Sequence, residues 1–221
     1  MPVRINNFLA QATGLSRRAA DTAIQEGRVL LNDQPAGLGD TVKAGDEVRL
    51  DGKAVTAEQQ TITIILNKPA GYVCSRQGQG SRTIYELLPK EYANLKPVGR
   101  LDKDSSGLLL MTNDGALANQ LTHPRYGKTK LYEISLDKPL EPLHHQMIND
   151  HGIQLDDGPS RLALAKQEDA KHWQVTMSEG RNRQIRRTFA ALGYEVKALK
   201  RVRFGDYSLD DLPEGQWRRR G

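Results

Sequence analysis

The sequence holds a single cysteine, Cys74, in 221 residues, which excludes an intramolecular disulfide and suits a reducing compartment. With no visible catalytic or metal-binding partner, Cys74 reads as a small apolar residue on a strand. No apolar run reaches the roughly 18 residues of a membrane span, and Met1-Pro2-Val3-Arg4 does not lead into a signal-length apolar core. A cytoplasmic protein that avoids the bilayer is expected. The five histidines, at 123, 144, 145, 151 and 172, lack ligand spacing supported by acids or cysteines, so neither a metal nor another cofactor is expected.

What is present is positive charge, unevenly placed. The net charge is +5 and the sequence pI about 9.3, a bias toward polyanionic partners. Residues 1–50 hold six Lys and Arg against six Asp and Glu, whereas residues 181–203 hold eight basic side chains and one acid, Glu195. Ile185, Phe189, Leu192 and Val196 interrupt that basic block, which makes it a folded face, not a disordered tail.

The chain divides by pattern into two parts. Ile5, Phe8, Leu9 and Ala12 recur at helical spacing before Gly14, and Ser16 is placed to cap a second helix over 17–26, with Ala19, Ala20, Ala23 and Ile24 as its apolar stripe. Strands are expected over 28–31 and 47–50, the first turning at Asn32-Asp33. Residues 51–61 are polar and aperiodic, which reads as a linker. Beyond it, strands are expected over 61–66, 108–111, 130–136, 161–165 and 172–178. Helices are expected over 115–122, capped by Asp114, over 142–151, and over a stretch opened by residues 179–187 and running to Gly193; Thr83 and Glu86 form a capping box. The division is therefore a domain over 1–55 and a second over 61–221, the latter α+β on a largely antiparallel mixed sheet.

Polar chemistry concentrates at the mouth of one core strand. Val98-Gly99-Arg100-Leu101-Asp102-Lys103-Asp104-Ser105-Ser106-Gly107 runs directly into Leu108-Leu109-Leu110-Met111. Alone, the four residues from Gly99 to Asp102 read as a charged loop. On the helix near 184, Ile185, Phe189 and Leu192 cluster on one side, Arg183 and Arg187 point away, and Arg186 lies at the boundary, about 100° from the apolar centre.

The whole stretch from Val98 to Gly115 closely resembles the signature of the RNA pseudouridine synthases, in particular the branch that modifies ribosomal RNA and carries an S4 domain in front. Ser105 stands where that family often has Thr, and keeps the hydroxyl. Lys68-Pro69-x-Gly71, Lys130-x-Tyr132, Gln184-Ile185-Arg186 and the run from Leu199 to Gly205 match further family motifs. Gly14-x-Ser16-Arg17-Arg18-x-Ala20, with Ile24, Gly27, Val29 and Asn32, resembles the S4 fold, a helix-helix-strand unit. Similarity thus covers nearly the whole chain.

The resemblance implies that Asp102 is catalytic, that Tyr132 stacks on the target base, that Arg186 pairs with Asp102, and that Leu199 packs under the site. Arg17 and Arg18 at a helix start, together with Lys68, Arg100, Arg183, Arg187, Lys200 and Arg201, are then the expected RNA-binding residues. The partner is ribosomal RNA or a ribosome-assembly intermediate, and a monomer is expected. The reaction breaks the N-glycosidic bond of uridine, rotates the base in the pocket and joins C5 to the ribose, with no cofactor. It requires a carboxylate held ionised by a cation, an aromatic platform, and a phosphate-binding surface to offset base flipping. One rival reading is a non-catalytic S4-type RNA-binding assembly factor. Another, a metal-dependent nuclease, would rest on Asp102 and Asp104 alone.

Overall fold

The computed structural model describes residues 2–56 and 61–220, and the chain folds as two compact units, Met1–Thr61 and Ile62–Gly221. In the first, α1 (Ile5–Thr13) stops at Gly14, whose φ of 76° takes the left-handed conformation that glycine tolerates. Ser16 then caps α2 (Arg17–Gln25), its Oγ accepting from Ala19 N at 3.0 Å. Ile5, Leu9, Ala20, Ala23 and Ile24 pack on Val29, Val42 and Val48.

A four-stranded antiparallel sheet completes this unit in the order Gln34–Pro35, Val29–Leu31, Val48–Leu50, Lys53–Val55. The expected linker over 51–61 is thereby corrected at its start. Asp51 and Gly52 both have positive φ, 51° and 75°, and make a tight hairpin of the kind Asp-Gly favours, so Lys53–Val55 is a strand. The part of that segment over 57–60 lies outside the described residues.

The second unit is α+β, built on a nine-stranded sheet. Its order is Ala163–Lys166, His172–Met177, Lys130–Leu136, Val196–Phe204, Ser106–Thr112, Thr63–Lys68, Trp217–Arg219, with Lys96–Pro97 and Tyr207–Ser208 paired at the flanks. Every pairing is antiparallel except that between Ser106–Thr112 and Val196–Phe204. The apolar run 108–111 is a central strand covered on both faces. Leu109 and Met111 join one core with Tyr132, Ile185, Phe189 and Leu199; Leu108 and Leu110 join a second with Val98, Leu121 and Phe204. Each fully buried leucine there contributes about 1.5–3 kcal/mol, which makes this strand a firm base for the loop before it.

Three short helices dress the sheet. Asp114 caps α3 (Gly115–Thr122), accepting from Ala116 N and Leu117 N. The helical stretch expected over 142–151 is α4 (Pro142–Gln146), continued by a wider π turn over Met147–His151. Last, α5 (Gln184–Ala190) buries Ile185 and Phe189. The Thr83–Glu86 capping box forms over a 3-10 turn, Ile84–Leu87. The basic end at 217–219 is an edge strand on Thr63–Lys68.

Candidate active site

The loop that carries Asp102 is built from behind by Lys68. Lys68 is wholly buried, and its Nζ donates to the backbone oxygens of Pro69 at 2.9 Å, Asp102 at 3.1 Å and Ser105 at 2.7 Å. Burial pulls its ammonium pKa below the usual lysine range. A cation so placed cannot reach a phosphate, which corrects the expectation that Lys68 binds RNA: it ties both ends of the Asp102 loop to the first strand of the sheet.

Gly107 sets the next constraint. Its φ is 101°, and a Cβ there would lie 2.3 Å from Arg201 O; only glycine lets Ser106–Thr112 approach Val196–Phe204 this closely. Arg201, expected on the RNA, is 2% exposed. Its Nε donates to Leu108 O at 2.8 Å and its guanidinium lies 4.9 Å from the Phe204 ring centroid. That expectation is corrected as well, because the side chain is folded into the sheet face. Lys200, one residue earlier, is exposed.

Register places the aromatic. Tyr132 pairs with Arg201 on one side and Val175 on the other, is 8% exposed, and lines the same pocket as Asp102. The pairing of Lys130–Leu136 with Val196–Phe204 shifts twice, and these bulges let Leu199, Arg201 and Phe204 all border the pocket. Leu199, 8% exposed, belongs to the core beneath. Lys130 enters the lining as well, its Nζ donating to Ser178 O and Glu179 O; burial lowers its pKa.

The pocket has a volume of about 620 Å³ and is open to solvent, with Asp102, Tyr132, Arg100, Arg183 and Arg186 among its lining, a size suited to one bound nucleotide. Two carboxylates line it. Glu179 accepts from the buried Gln184 amide. Among the described residues the one ion pair of the Asp102 carboxylate is with Arg183 Nη1, at 3.8 Å.

The arginines of the 181–187 segment do not sit as expected. Arg186 does not pair with Asp102. Its Nη1 donates to Val196 O at 2.6 Å, its Nη2 to Asp104 O at 2.9 Å, and its Nε stands 3.2 Å from Asp104 Oδ2 as an ion pair without a hydrogen bond. Asp104 is clamped a second time, by Arg183 through Nη1 and Nη2 at 2.9 and 3.0 Å. The Arg183 hydrogen bonds hold the Asp104 carboxyl below the usual carboxylate range. Arg183 adopts a left-handed backbone, φ 45°, a strain characteristic of functional positions. Arg187 is held by Asp156 and Asp157, at the tip of the Ile153–Leu155 and Gly158–Ser160 hairpin. Arg183 and Arg187 are expected on phosphates; in this structure both are engaged by carboxylates.

Arg100 is exposed at the pocket rim and has no ion pair among the described residues. In the first unit Arg17 and Arg18 are exposed at the start of α2, Arg17 Nη2 donating to Asn7 Oδ1 at 2.9 Å. Asp104 was missed as an organising residue; the signal was two arginines three apart facing a loop already rich in acid. Among the described residues no three His, Cys, Asp or Glu side chains gather to hold a metal, and no helix is long and apolar enough to cross a membrane.

Comparisons with known proteins agree across both units. The family described as RNA pseudouridylate synthase matches residues 62–191, and the S4 domain matches residues 3–48. An uncharacterised RNA pseudouridine synthase of Aquifex aeolicus is 38% identical over 226 aligned positions, covering 99% of this chain and 90% of the relative. The dual-specificity RNA pseudouridine synthase RluF of Escherichia coli (strain K12) is 34% identical, with 98% and 74% covered. The ribosomal large subunit pseudouridine synthase B of Shigella flexneri is 37% identical, with 98% and 79% covered. A solved structure, described as the crystal structure of pseudouridylate synthase, superposes with a TM-score of 0.71 at 32% identity, over 99% of this chain and 96% of that one.

Proposed function

The chain belongs to the RNA pseudouridine synthase family and carries an S4 domain, and from that premise we propose that it isomerises specific uridines of ribosomal RNA in the pocket floored by Tyr132. The names of RluF and of synthase B point to RNA, and in the second case to the large ribosomal subunit, as substrate.

The observation that carries the assignment is the state of the two carboxylates in the pocket. Glu179 is occupied by the Gln184 amide, whereas Asp102 keeps its oxygens for the substrate, with the Arg183 guanidinium 3.8 Å away. Asp102 is therefore the reacting group. The flipped uracil stacks on Tyr132, and the base turns in place after the glycosidic bond breaks. Arg186 is a positioning residue: through Asp104 and Val196 O it holds the loop to the sheet, as Lys68 does from the other side. Arg17 and Arg18 add RNA contacts outside the pocket.

Asp102→Asn preserves shape and removes the charge. In transcripts of both ribosomal RNAs, incubated with and without chelator, its pseudouridine yield is expected to fall by at least about 1,000-fold, within the 10²–10⁴ range of acid–base groups. Thermal stability and RNA affinity should stay near wild type. Conversion at a substantial fraction of the wild-type rate would remove Asp102 from the reaction; chelator-sensitive strand cleavage would replace the reading by a nuclease.

A further inference from the structure

The connection between α3 and the Lys130–Leu136 strand is a tight, self-braced turn. His123 Nδ1 accepts from Arg125 N at 3.2 Å, Pro124 opens a 3-10 turn over Pro124–Tyr126, and Gly127 closes it at φ 54°. His123, Pro124 and Lys128 line the pocket, while Tyr126 does not. The Tyr126 ring stands just outside the mouth, 40% exposed, and is the one aromatic among the large apolar side chains that the described residues leave exposed. The Arg125 guanidinium lies 4.5 Å from its centroid and also donates to its hydroxyl, and the His123 ring meets its edge at 6.3 Å.

Charge decides what such a ring is for. Arg125 has no carboxylate partner among the described residues, and neither has Arg100 at the same rim, whereas Arg181, Arg183, Arg186 and Arg187 across the pocket are all engaged by acids or carbonyls. An exposed aromatic backed by a guanidinium and flanked by uncommitted cations matches a single-stranded nucleic acid: the ring takes a base face, the cations take phosphates.

We propose that Tyr126 is a stacking platform for the unpaired nucleotide next to the target uridine, with Arg125 and Arg100 binding the phosphates that flank it. This rests on the reading of the pocket as the uridine site. A strand whose uridine turns into the pocket must cross its rim, and the His123–Lys128 turn offers the neighbouring base a surface there. The platform is a binding residue and takes no part in bond breaking.

The test uses the full chain as wild type, Tyr126→Ala and Tyr126→Phe, with two readouts: affinity for a single-stranded oligonucleotide of ribosomal RNA sequence, and kcat and KM for uridine conversion in ribosomal RNA transcripts. Tyr126→Ala should weaken oligonucleotide binding and raise KM by about 5- to 150-fold, the range seen for losing one stacked base. The loss should lie in KM more than in kcat, the melting temperature should not move, and Tyr126→Phe should bind as wild type does. A Tyr126-dependent affinity in a protein that converts no uridine keeps the platform and removes the enzymatic reading. Normal conversion with unchanged affinity and KM in Tyr126→Ala removes the platform and leaves the enzyme. If Tyr126→Phe is as weak as Tyr126→Ala, the hydroxyl bond to Arg125 holds the turn and the platform is again overturned. A wild type that neither binds nor converts removes both.

Discussion

On the α5 side of the pocket four arginines are committed: Arg183 and Arg186 to Asp104, Arg187 to Asp156 and Asp157, and Arg181 to Asp157 and a row of backbone oxygens. Across the mouth, Arg100 and Arg125 have no acid beside them among the described residues. The first side holds more positive residues, yet the second offers more free charge. A count of basic residues along the sequence therefore locates a cationic segment without locating the RNA. The committed guanidiniums are construction material: they fasten the Asp102 loop and the 153–160 hairpin to the end of the sheet.

The largest effect that would break this contrast is on turnover. Arg186→Ala removes the side-chain donor to Val196 O and to the backbone oxygen of Asp104, leaving Arg183 alone on the Asp104 carboxylate, and loosens the loop that positions Asp102; a displacement on the order of 1 Å costs about 100-fold in rate. Steady-state kinetics should show that loss mainly in kcat, with RNA affinity changed far less. An equal loss in affinity would make Arg186 a phosphate ligand after all.

A smaller effect sharpens the contrast through salt. Replacing Arg100 with Ala should lower the slope of log affinity against log salt concentration by about 0.7–0.9, the equivalent of one phosphate contact. Arg187→Ala should leave that slope nearly unchanged, because Asp156 and Asp157 already neutralise its charge. Filter binding across a salt series reads both, and a reversed order would return the phosphate site to α5.

The smallest effect is on stability in acid. The folded-state pKa of Asp104 is depressed, chiefly by the Arg183 hydrogen bonds, so the unfolded chain takes up its proton first as pH falls. Its contribution is complete above the ordinary aspartate value of about 4 and is lost as pH drops through the lower folded value. Denaturation of wild type and Asp104→Asn should thus differ at neutral pH and draw together as pH falls below the ordinary aspartate range. A gap that persists there would mean that the shape of the side chain, not its charge, holds Arg183.

Local signals in the sequence were readable because they act over a few residues. Ser16, Asp114 and the Thr83–Glu86 box cap helical turns as their spacing says, the apolar run after Gly107 is a strand covered on both faces, and Ile185 and Phe189 face the core. What stayed hidden was decided by partners far along the chain. Arg183 and Asp104 are 79 residues apart, and Lys68 meets Ser105 across 37. No periodicity distinguishes a lysine that decorates a turn from one that supports it from inside. Arg201 was hidden for another reason: the two bulges in its strand break the alternation from which its orientation would be read.

The Trp217–Arg219 strand has a consequence for the order in which the protein can be made. It pairs with Thr63–Lys68, where Gly215 N and Gln216 O also bond to Asn67 and the Trp217 ring meets the edge of Tyr92. The strand that bears Lys68 thus leaves synthesis about 150 residues before its outer neighbour, an interval of about 8–30 s at 5–20 residues per second. During that interval Thr63–Lys68 has an open hydrogen-bonding edge, the kind of edge that recruits other chains. Closing that edge is thus a late event in the life of the nascent chain, and damage near residue 217 is expected to show itself as misassembly.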